Sequence, residues 1–172
     1  GQTMPSTSHT TDVATKDIGA IDHYFHSRWR VYPQAVTSAV ELKAGTPGNT
    51  FGLWKKVVPV NIVPFDFHIV GIVVETVSEA TTYFIQVGYN TADAEPGANM
   101  ESGERRFRLV TLPVARGTEV LEIRGQEIPA NSSVWGRMKT ASGTEDTAEI
   151  SLVLSRHVVV SKEVPIWPAF PW

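Results

Sequence analysis

The densest group of cations in the chain is E-R-R-F-R, which sets Arg105, Arg106 and Arg108 within four residues. A guanidinium offers donors in a planar fork, so such a cluster can hold phosphate or an acidic partner through charge-assisted hydrogen bonds. On an extended strand Arg106 and Arg108 fall on one face, and Arg105 with Phe107 on the other. The same charges also suit an edge strand or subunit contact, where they discourage aggregation. Trp54, Tyr83 and Trp135 could form an aromatic platform for sugar rings, although aromatics on strands more often belong to a core. A third grouping is V-P-I-W-P-A-F-P-W, residues 164–172. Pro165, Pro168 and Pro171 recur every three residues, the repeat of polyproline II. In that conformation Val164, Trp167 and Phe170 share a second edge, and Ile166, Ala169 and Trp172 a third. The nine residues would span on the order of 28 Å. Apolar edges of this size need a cover: the chain's own body, a neighbouring subunit or another protein.

Other residue types that carry chemistry do not assemble into a recognisable site. His23 and His26 lie three apart beside Asp22, but no H-E-x-x-H pattern supports a zinc centre. The acidic loops 91–99 and 143–147 lack the D-x-[DN]-x-[DN]-G spacing that arranges oxygen ligands around calcium. No G-x-S-x-G elbow is present, and no pair of carboxylates is singled out for glycoside hydrolysis. Asn131 opens an N-S-S acceptor pattern. The absence of cysteine removes thiolate nucleophiles, thiolate metal sites and disulfides. The expectation is a protein without catalytic, metal or cofactor residues, and not an enzyme.

The elements that would position these groups read as β. At 172 residues the chain is large enough for one domain with a substantial core. A net charge of −3 argues against a nucleic-acid partner, and no run approaches the roughly 20 apolar residues of a membrane span. Residues 1–17 are rich in Ser and Thr and predict a flexible arm; the segment 18–32 is either a short helix or a strand. Seven strand candidates follow, at 49–60, 65–77, 82–90, 104–112, 118–125, 132–141 and 147–160, separated by turn-forming Gly, Pro, Asn and Asp clusters. Tyr83, Ile85, Val87 and Tyr89 alternate with Thr82, Gln86 and Gly88, as do Ile150, Leu152 and Leu154 with Glu149, Ser151 and Ser155. In 65–77 the apolar parity changes near Gly71, which predicts a bulge there or a strand buried on both faces. The pattern predicts an all-β, antiparallel, jelly-roll-like sandwich of seven to eight strands. Its divisions are an arm at 1–30, the sandwich at 31–160 and a Pro/aromatic tail at 161–172.

Within residues 32–157 three stretches occur in order: the strand opening F-D-F-H (Phe65 to His68), a strand ending at an acidic glycine-rich loop, and I-P-A-N-S (Ile128 to Ser132) leading to a strand, the A-S-G-T-E-D-T hairpin and a last strand. This order resembles a family of small β-sandwich proteins encoded among the virion genes of tailed bacteriophages. The resemblance implies a non-enzymatic virion protein, a capsid decoration (cement) protein or a head-fibre module. It also implies a location on the capsid surface after synthesis in the bacterial cytoplasm. The implied partners are the major capsid protein and further copies of the chain, with a homotrimer expected. The arm and residues 158–172 depart from the family pattern. With Arg105, Arg106 and Arg108, the tail residues Val164, Pro165, Ile166, Trp167, Pro168, Phe170, Pro171 and Trp172 are the expected interface. A carbohydrate-binding module of a fibre or secreted protein is the alternative.

Overall fold

The structure, a computed structural model, describes residues 27–112 and 119–157. The expected tail lies outside them, as does the arm except for residues 27–30. The chain divides into two units, and the elements below belong to the one spanning Trp29–Ser155, apart from the first two residues of the first strand and the last two of the ninth.

Among the described residues nine strands form in chain order: β1 (Ser27–Tyr32), β2 (Val40–Lys43), β3 (Lys55–Val58), β4 (His68–Val77), β5 (Thr82–Asn90), β6 (Glu101–Arg108), β7 (Glu119–Glu122), β8 (Ser133–Thr140) and β9 (Thr147–His157). One sheet runs β1-β9-β4-β7, with β2 also paired to β9; the other runs β3-β8-β5-β6. The two antiparallel sheets pack together as an all-β sandwich. The count exceeds the expected seven to eight because β1 and the four-residue β2 are both strands. The segment left open between helix and strand therefore ends in a strand.

The core is what the alternating residues dictate. Ile69, Ile72, Ile150, Leu152 and Leu154 from one sheet meet Tyr83, Ile85, Val87, Val134 and Met138 from the other, all fully buried. Each such side chain contributes roughly 1.5–3 kcal/mol through removal of apolar surface from water. The parity change in β4 is a bulge: Ile69 pairs with Leu154 and Gly71 with Val153, leaving Val70 extra. Ile69 and Ile72 can therefore both point inward although they are three apart.

Two of the stretches quoted above are one structural device. Phe67 and Ile128 form an isolated bridge, Phe67 N donating to Ile128 O at 3.0 Å and Ile128 N to Phe67 O at 2.7 Å. Both side chains are fully buried. Asp66 Oδ1 accepts the Ala130 amide at 2.9 Å, and Asn131 takes a left-handed conformation at φ 66°. The F-D-F-H and I-P-A-N-S segments thus clasp one end of the sandwich.

A second polar device closes the β8–β9 hairpin. The Asp146 carboxylate accepts hydrogen bonds from the hydroxyls of Thr140 (2.7 Å), Ser142 and Thr144 (3.2 Å), and its backbone oxygen accepts the Ala44 amide at 2.8 Å. Burial opposes the charge, yet the hydroxyls of Ser142, Thr140 and Thr144 outweigh it and hold the carboxyl below its ordinary pKa. This loop spends its buried carboxylate on its own hydroxyls.

Asp146→Ala should therefore cost about 1–3 kcal/mol in urea unfolding, since it strands the buried Thr140 hydroxyl. The native pKa lies below the unfolded one. The charge thus stabilises fully above the ordinary carboxylate range, and that stability is lost as pH falls through the depressed native value. Acid titration of stability should show this limb in the wild type and a flattened one in Asp146→Asn.

Candidate interaction face

The outward side of the β3-β8-β5-β6 sheet gathers side chains that can bind. β8 lies on β5 with Phe84 opposite Lys139, Gln86 opposite Arg137 and Gly88 opposite Trp135. Since Tyr83, Ile85, Val87 and Met138 point into the core, these neighbours must point outward. On the far side of β5, Arg106 stands opposite Phe84 and Arg108 opposite Thr82. Lys56 of β3 stands opposite Trp135. The loop before β3 lays Phe51 and Trp54 over this row.

Cations and rings then interleave. The Arg137 guanidinium sits 4.1 Å from the Phe51 ring centre and 4.4 Å from that of Trp54. Lys139 Nζ lies 4.7 Å from Phe51 and 4.8 Å from Phe84, and those two rings meet edge to face at 5.9 Å. Lys56 Nζ covers Trp135 at 5.5 Å and pairs with Asp93. Arg137 Nε donates to Gln86 Oε1 at 2.8 Å. Trp135 Nε1 donates to Ser133 Oγ at 2.9 Å, and that hydroxyl donates in turn to Ala92 O at 2.8 Å. The result is a half-buried bed in which long cationic side chains are held in place before any partner arrives.

The face is basic on a chain that is acidic overall. Lys56, Arg106, Arg108, Arg137 and Lys139 occupy it, against Glu101, Glu104 and Asp93. Among the described residues, Arg106, Arg108, Arg137 and Lys139 have no carboxylate partner. Such a surface can take an acidic partner through charge-assisted hydrogen bonds, with apolar contact from the rings between.

Of the sequence-predicted residues, Arg106 and Arg108 lie on this face. Arg105 does not: it stands opposite Ile85 at the edge, and its Nη1 donates across to Glu122 O of β7 at 2.9 Å. Tyr83 is a core residue and drops out of the sugar platform. Its hydroxyl donates to Glu79 O at 2.6 Å, its ring stacks on Phe107 at 5.1 Å, and burial raises its pKa. Trp54 and Trp135 do face outward, each with a cation over its ring. The interface residues expected in the tail, Val164 to Trp172, lie outside the described residues, as do His23, His26 and Asp22. Among the described residues no group of three His, Cys, Asp or Glu could hold a metal ion, and no helix is long and apolar enough to cross a membrane. Phe51, Phe84, Arg137 and Lys139 were missed by sequence reasoning. The alternation W-G-R-M-K in β8 was the available signal for the two cations; a loop phenylalanine carries none. Comparison with known proteins returns no matching family model, curated protein or solved structure.

Arg137→Ala removes the cation shared by Phe51 and Trp54. At about 0.5–2 kcal/mol per contact, thermal unfolding should show a loss of about 1–3 kcal/mol, with a change in tryptophan emission as Trp54 loosens. Arg106→Ala, which sits on no ring, should leave both unchanged.

Proposed function

We propose that the chain is a non-enzymatic virion structural protein, a capsid decoration protein that docks the β3-β8-β5-β6 face on an acidic surface of the major capsid protein. One observation supports this reading: four cations without carboxylate partners among the described residues, Arg106, Arg108, Arg137 and Lys139, spread over an aromatic bed on a chain of net charge −3. The bed favours tight docking because Arg137 and Lys139 are already ordered, which lowers the entropy lost on binding. The ordered resemblance to phage virion proteins supplies the partner class. A decoration protein needs a stable fold and a complementary surface, and chemistry at a cleft is not required of it.

The carbohydrate-binding reading keeps one specific support, the outward tryptophans Trp54 and Trp135. The cations already over both rings occupy positions a sugar would stack against, and this favours the first reading.

Co-sedimentation with shells of the major capsid protein encoded beside this gene distinguishes them. Arg106→Glu/Arg108→Glu, both exposed, should keep the wild-type melting temperature and weaken shell binding at least about tenfold, with wild-type binding falling as salt rises. Unchanged shell binding by the double variant, or glycan-array binding lost in Trp135→Ala, would overturn the proposal.

A further inference from the structure

The β3-β8-β5-β6 face holds one of its cations differently from the rest. Arg106 and Arg108 are exposed, whereas Arg137 is half-buried. The Arg137 guanidinium lies 4.1 Å from the Phe51 ring centre and 4.4 Å from that of Trp54, and its Nε donates to Gln86 Oε1 at 2.8 Å. A guanidinium carries five N–H donors, and this bond uses one. The rings offer no oxygen to the other four, on Nη1 and Nη2, which have no acceptor among the described residues. The loop that bears the rings is itself pinned to β8: Asn49 N donates to Thr140 O at 2.7 Å and Gly52 N to Met138 O at 2.9 Å. Gly52 makes that approach possible, since a Cβ there would stand 1.7 Å from Lys43 O. Lys139 Nζ lies 4.7 Å from the same Phe51 ring, so a second cation stands beside the fork.

We propose that Arg137 is the specificity-determining residue of this face, a fixed fork that receives one carboxylate of the partner through two parallel hydrogen bonds. The inference rests on the reading that the face docks an acidic protein surface, and it adds which cation recognises that surface. With Nε held by Gln86, the side-on approach through Nε is closed and the end-on approach across Nη1 and Nη2 is left. A planar fork matches the two oxygens of a carboxylate in spacing and direction, which a diffuse positive potential does not. Half-burial strengthens such bonds, because less water competes for them. The rings and Gln86 order the guanidinium before the partner arrives, so little side-chain entropy is lost on docking. Arg106 and Arg108, out in solvent, supply long-range attraction that salt screens. Gln86 is a positioning residue: it acts on the partner only through Arg137. Lysine at 137 would keep the charge, but as a point charge it cannot serve Gln86 and both carboxylate oxygens at once.

Arg137→Lys in the full chain separates shape from charge. Its binding to capsid shells should fall at least about fivefold, by the same factor at every salt concentration because the charge is kept. Gln86→Met removes the acceptor at similar size. It should weaken shell binding about two- to threefold in the wild type and add nothing to the loss in Arg137→Lys, a non-additivity that a merely structural role would not produce. A second measurement needs neither variant nor shells: nuclear magnetic resonance titration of the isotope-labelled wild type with a short polyglutamate peptide. The side-chain nitrogens of Arg137 should shift at lower peptide concentration than those of Arg106 and Arg108. Shell binding by Arg137→Lys equal to that of the wild type, or a peptide that leaves the Arg137 nitrogens unmoved, would contradict the inference. Shells that do not bind the wild type, with the peptide still shifting Arg137, would remove the capsid reading and leave the carboxylate fork standing. If either variant unfolds, the peptide titration decides by itself.

Discussion

The register of β8 on β5 is the constraint on which the rest depends. Eight successive pairs, from Tyr83 opposite Thr140 to Asn90 opposite Ser133, run without a shift. A strand's side chains alternate with a period of two, so a slip by one residue would exchange the faces. Arg137 and Lys139 would then enter the core, where an unpaired cation is strongly disfavoured, and Met138 would be expelled. The residues that build the core and those that build the basic face are therefore fixed by one and the same pairing. Neither can change register without destroying the other.

That coupling explains what could be read from the sequence and what could not. The strand expected at 82–90 is β5 residue for residue, because its alternation is clean and turns bound both ends. The parity change near Gly71 left a bulge or a strand buried on both faces, and pairing with β9 shows the bulge, with Val70 as its extra residue. The candidate at 49–60 shrank to Lys55–Val58 because Phe51 and Leu53 belong to a loop that crosses over the sheet. The four residues of β2 were too short to stand out, and only pairing with β9 defines them. The face itself was half visible. Arg106 and Arg108 announce themselves as a cluster, whereas Trp54, Arg137 and Phe84 become neighbours only through pairings across three strands. Tyr83 was offered for a sugar platform although it shares its alternation with Ile85 and Val87, and that periodicity was the better guide.

The text that suggested phage virion proteins turns out to describe architecture. Phe67 and Ile128 bridge, Asp66 braces Ala130, and the Asp146 hydroxyl cluster closes the last hairpin. These residues are needed for the sandwich whatever the sandwich does. Function must then be sought where the fold makes no demand, on its two outward sheet faces. One is cationic and aromatic, the other mixes Val120 and Val153 with Glu41, Lys43, Glu122 and Glu149.

The most direct measurement is an electron cryomicroscopy reconstruction of capsid shells decorated with the full-length protein. The account predicts that Arg106, Arg108, Arg137 and Lys139 meet acidic side chains of the major capsid protein, with the β3-β8-β5-β6 sheet lying against the shell. A reconstruction in which that sheet faces solvent would contradict it.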